Sequence, residues 1–199
     1  MKDSEKKTLP PTRIIACGVF KPALEHLHPE NRYPDLRLTY LPSKLHLRPQ
    51  ELENRLLKEI ASAQERDERV ICLYGSCFPD IDDFCKQHRA IKVPGDYCYE
   101  MLLGSERFKQ LLDEMAGTYF LEKDLIINFE EYCMVPLELH DEEMRRYCFQ
   151  RYRRLLYVRQ PADPDLVPQA GELAKSLGLS LEIRDVDYSH LERKLVELI

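Results

Sequence analysis

From Arg13 to Phe20 the chain reads RIIACGVF, apolar throughout after its leading arginine. A run this short and this apolar fits a strand covered on both faces, which is how parallel sheets bury their strands. LRLTYL at 36–41, RVICLYGSC at 69–77, AIKVPG at 90–95, RRLLYVR at 153–159 and LEIRDV at 181–186 supply further strands. Between them lie segments with helical spacing. Leu52, Leu56, Leu57 and Ile60 recur behind Pro49, which suits a first helical position. Leu166, Val167, Ala170, Leu173, Ala174 and Leu177 recur before Gly178. Strands alternating with helices predict an α/β fold, a mostly parallel, Rossmann-like sheet with helices on both faces. Residues 1–12 are expected to form a polar tail and 13–199 a single domain. The segment from about 97 to 152 reads as a helical insert, with Asp96 and Ser105 as caps and Gly104 and Gly117 as stops.

Several classes are excluded early. No apolar run reaches the roughly 20 residues a membrane span needs, and MKDSEKKTLPPT has no apolar leader core. Net charge is −6, a poor basis for general nucleic-acid binding. The Arg-rich run 145–154, RRYCFQRYRR, reads as the solvated face of an amphipathic helix. There are 7 glycines, with no dinucleotide or phosphate-loop pattern. Seven cysteines without an export signal point to a reducing, cytoplasmic setting, where cysteines fill cores, act as nucleophiles or bind metals.

Parallel sheets bind ligands beyond the carboxyl ends of their strands. Four metal-ligand side chains fall there: Cys17 near the end of the first strand, His46 after the second, Cys77 after the third and Cys98 in the first helical turn after the fourth. Three thiolates and an imidazole suit zinc. They also suit iron or an iron–sulfur cluster. At a helix N-terminus, Cys98 is expected to have a lowered pKa. Glu100 is a candidate general acid or base, and Tyr97 and Tyr99 candidate walls. Cys72, Cys85, Cys133 and Cys148 read as core, with Cys133 the reserve for a fourth thiolate. Asp80, Asp82 and Asp83 suit a helix start, and Asp141 and Glu142 after His140 suit another. His26 and His28 read as solvent-facing.

The segment VPGDYCYEMLLGSERF followed by GTYFL resembles the hallmark of the family called domain of unknown function 1638, supported by IIACGVF, LPSKLHLRPQEL and ICLYGSC. The resemblance covers about residues 13–135. It places the family's cysteines on Cys17, Cys77 and Cys98, its Leu-His pair on Leu45 and His46, and its Tyr-Gly-x-Cys on Tyr74, Gly75 and Cys77. Tyr74, Gly75, Asp96, Tyr97 and Glu100 are then expected to line a cofactor. Where many members have His-Asp before the last cysteine, Asp96 and Tyr97 stand here, and Phe78 replaces a glycine. The resemblance also implies an anaerobic host and an accessory role beside a corrinoid protein or methyltransferase. The rival expectations are a metal-free enzyme with Cys98 or Cys77 as nucleophile and His46 as base, and a non-catalytic docking module.

Overall fold

The structure is a computed structural model that describes residues 11–199. The expected tail lies outside the described residues except for Pro11 and Thr12, and Thr12 already belongs to the first strand. Among the described residues seven strands form: β1 (Thr12–Cys17), β2 (Leu36–Leu41), β3 (Arg69–Leu73), β4 (Ala90–Lys92), β5 (Thr118–Leu121), β6 (Arg154–Arg159) and β7 (Ser180–Asp185). Ten α-helices lie among them: α1 (Lys21–Leu27), α2 (Pro29–Arg32), α3 (Pro49–Gln64), α4 (Ile81–Gln87), α5 (Cys98–Leu103), α6 (Ser105–Glu114), α7 (Lys123–Ile127), α8 (Glu142–Phe149), α9 (Val167–Leu177) and α10 (Ser189–Leu198).

The α/β expectation holds, with all strand pairs parallel, but the strands divide between two sheets. One has the order β2-β1-β3-β4 and the other β5-β6-β7. The expected helical insert is therefore corrected. TYFL at 118–121 is an edge strand that opens the second sheet, with Phe120 opposite Leu156. Gly117 turns the chain into it rather than closing α6, and a Cβ there would stand 2.6 Å from the Arg151 carbonyl oxygen.

β1 is buried along its whole length at the centre of the first sheet. Its one charge is matched, with Arg13 Nε 2.7 Å from Glu68 Oε2 and both side chains nearly inaccessible. In β6 the faces separate: Leu156 and Val158 join the core of the first sheet, Leu155 and Tyr157 that of the second. This is the period of two expected of a strand with a core on either face. Val186, Tyr188, Leu191 and Leu195 also join the first core, so α10 crosses back to pack on α5.

Local signals explain most helix ends. Pro49 occupies the first turn of α3, and Leu52, Leu56, Ile60 and Ala63 face inward, while Leu57 is 38 % exposed. Gly178 ends α9 at φ 68°, a left-handed conformation glycine adopts without penalty. Asp141 caps α8 by accepting from Met144 N at 2.9 Å. Asp96 does not cap α5, where Tyr97 stands at the cap position. The Asp96 N–H instead donates to Glu100 Oε2 at 2.9 Å. Ser105 lies inside α6, and its hydroxyl donates to Glu100 Oε1 at 2.7 Å. The helix expected near 123–134 breaks after Ile127 into a wider turn, Glu130–Met134.

The Arg-rich run keeps Arg146, Arg151 and Arg153 exposed, as expected of a solvated face, while the fold holds Arg145 and Arg154. Buried Arg154 donates to Thr118 Oγ1 at 2.8 Å and to the Leu111 carbonyl at 2.6 Å, and pairs with Glu182. Arg145 donates to the Leu139 carbonyl at 2.8 Å, and Arg146 pairs with Glu142. No helix among the described residues is long and apolar enough to cross a membrane.

Candidate thiol site

Cys17 ends β1, Cys77 is the fourth residue after β3, and Cys98 opens α5. All three belong to or pack against the core of the first sheet. They influence one another electrostatically: Cys77 raises the pKa of Cys17, and both Cys17 and Cys77 raise that of Cys98. Burial is the leading cause in each case. It pushes Cys17 up to about 12, Cys98 well up and Cys77 up. The lowered pKa expected for Cys98 is thus corrected, because burial outweighs the dipole of a six-residue helix. Cys77 also feels the buried Lys92 ammonium, which opposes the rise. Lys92 donates to the Gly95 carbonyl at 2.9 Å and pairs with Asp82 at 3.5 Å. An open hollow lined by Ser76, Phe78, Asp80 and Asp83 reaches Cys77 from outside.

The structure adds a carboxylate that sequence reasoning missed. Glu122, 4 % exposed, directly follows β5, and its charge is felt at both Cys17 and Cys98. Burial raises it from the ordinary 4.5 to about 7, although N–H groups of Asp124 at 2.8 Å and Leu125 at 2.7 Å donate to it and oppose the shift. The only sequence signal for Glu122 is its place at the end of a strand, which vanishes once the segment from about 97 to 152 is read as a helical insert.

His46 lies on the exposed turn Ser43–Leu47, with Nδ1 2.9 Å from the Ser43 carbonyl oxygen and its ring edge-on to Tyr132 at 6.3 Å. Ser43 Oγ and Tyr132 OH both donate to Asp124, which in turn raises Cys17. The histidine therefore sits at the rim, linked to the thiols through other side chains. The remaining candidates lie just after β3 (Tyr74, Gly75) and at the start of α5 (Asp96, Tyr97, Glu100). Tyr74 is 1 % exposed and its hydroxyl has no hydrogen-bond partner. Gly75 packs so closely that a Cβ would meet the Asp96 carbonyl oxygen at 2.5 Å. Ser76 holds the same segment, N–H to the Asp96 carbonyl at 2.8 Å and hydroxyl to Asp96 Oδ1 at 2.9 Å. Tyr97 is 56 % exposed, and both Glu100 oxygens are engaged by Asp96 and Ser105.

Among the described residues, no three His, Cys, Asp or Glu side chains stand together as a metal-holding group. The donor set is nonetheless the soft one that zinc and iron favour. Holding a metal requires the three thiols to close in from the positions they have here. Cys72 and Cys85 are core, as expected, and shift each other's pKa, and Cys133 meets the Tyr119 hydroxyl at 3.5 Å.

Fold and site together define a parallel α/β protein with one buried and two half-buried thiols near the strand ends. The profile of the family described as "Protein of unknown function (DUF1638)" matches residues 40–195, and the chain belongs to that family. His46, Cys77 and Cys98 fall inside the match; Cys17 precedes it. No curated protein and no solved structure matches the chain.

Proposed function

We propose that the protein holds zinc, iron or an iron–sulfur cluster on Cys17, Cys77 and Cys98, with His46 or Glu122 as candidates for a further position. The observation that carries this reading is that Cys17 and Cys77 stand at and just beyond the ends of two adjacent parallel strands, with Cys98, 81 residues from Cys17, electrostatically in reach of both. A buried thiol is hard to ionise alone, and a bound cation supplies the compensation that burial withholds. The same burial counts against a metal-free nucleophile, which needs a lowered pKa. Such a centre would supply thiolate-tuned Lewis acidity or electron transfer. An accessory role beside a corrinoid protein or methyltransferase is part of this proposal and draws its support from the family resemblance.

Anaerobic purification followed by metal and sulfide analysis tests it. Zinc near one per chain, or iron with sulfide and visible absorption, is expected. Cys17→Ser, Cys77→Ser and Cys98→Ser should each lose the metal while Cys148→Ser keeps it. A folded wild-type protein without metal overturns the reading.

A further inference from the structure

The second sheet has its own carboxyl edge, and a hollow opens there, lined by Arg159, Gln160, Asp163, Asp165, Asp185 and Val186 among others. Gln160 is 2 % exposed, yet neither its amide nitrogen nor its amide oxygen has a hydrogen-bond partner. Asp163 Oδ1 is buried and equally unpartnered. Leaving such groups unpaired is costly, so native proteins satisfy nearly all of them. The surroundings hold these groups in place. Asp163 Oδ2 accepts from Tyr157 OH at 2.7 Å and from the Gln160 N–H at 2.9 Å. Arg159 is spent on Asp185, Nε to Oδ1 at 2.6 Å and Nη2 to Oδ2 at 3.0 Å.

The chemistry narrows the ligand. A free primary amide offers a donor and an acceptor side by side, the complement of an aminopurine edge. A free carboxylate oxygen at a strand end suits a sugar hydroxyl. With Arg159 paired, the excess charge of the hollow is negative through Asp163 and Asp165, and the turn after β6, QPADPD, has no glycine with which to cradle phosphate. We propose that this hollow binds an uncharged aminopurine nucleoside, with the base edge on the Gln160 amide and the sugar on Asp163. The hollow borders the thiol site, since the Asp163 charge is felt at Glu122, but the proposal does not depend on a metal there.

Calorimetric titration of the full chain with adenosine tests it. Saturable one-to-one binding is expected, at least about ten-fold weaker for purine riboside, which lacks the amino group, and for adenosine 5′-phosphate. Gln160→Leu should weaken adenosine by a similar factor, with circular dichroism confirming its fold. Absence of saturable adenosine binding to the wild type overturns the proposal, as does equal affinity for purine riboside. Undiminished binding by folded Gln160→Leu also overturns it, and assigns the amide to a trapped water instead. Should Gln160→Leu fail to fold, the two nucleosides on the wild type still decide.

Discussion

After burial, the Glu122 carboxylate is the strongest influence raising the Cys98 thiol, ahead of the Cys17 and Cys77 thiols. One group thus couples the end of the second sheet to the thiols of the first. Removing its charge in Glu122→Gln should lower the pKa of Cys98 and, more modestly, that of Cys17. Alkylation rate against pH, resolved by peptide mass spectrometry on metal-free protein, reads this. An unchanged Cys98 profile would separate the two groups.

Glu122 also makes stability depend on pH. Its folded pKa, about 7, lies above its ordinary 4.5, so the folded state holds the proton more tightly. That contribution is complete below about pH 4.5 and is lost as pH rises through 7. The difference is roughly 3 kcal/mol at most. Glu122→Gln should flatten the fall between these limits, measured by urea denaturation at several pH values.

Cys17, Cys77 and Cys98 should alkylate slowly at pH 7 in metal-free protein and faster only in alkali, because burial raises all three. Any one of them reacting at pH 7 faster than free cysteine would favour the nucleophile instead.

Gly75→Ala should displace the loop that carries Cys77, since the added carbon meets the Asp96 carbonyl oxygen at 2.5 Å. A stability loss of about 1–3 kcal/mol is expected. Metal content should fall further than that loss explains, as judged on the folded fraction.

Arg154→Met should cost about 3–5 kcal/mol. It strips a buried cation from Glu182 and leaves the Thr118 hydroxyl and the Leu111 carbonyl without their donor. Equilibrium denaturation checks this, and a loss below about 1 kcal/mol would show that water replaces the guanidinium.

The sequence was most legible where a physical demand admits few residues. The apolar runs of β1 and β3 announced buried parallel strands, and through them placed Cys17 and Cys77 at one edge. Pro49 and Gly178 marked helix ends for steric reasons. Illegible was anything set by distant pairing. TYFL is a four-residue edge strand with half-buried Tyr119 and Phe120, and nothing in its period distinguishes it from a helix tail. Missing it hid both the second sheet and Glu122. His46 was placed correctly after β2, but the short turn that carries it keeps it at the rim. The caps given to Asp96 and Ser105 failed because Glu100 engages both residues.

The two faces of β6 have a consequence for how the chain comes to be folded. The first sheet is synthesised first, yet its core waits for Leu156, Val158, Leu191 and Leu195. Until α10 emerges, the early half exposes the apolar surface those residues cover. Assembly is therefore governed by closure between distant ends of the chain, a slow and chaperone-sensitive route compared with folding half by half.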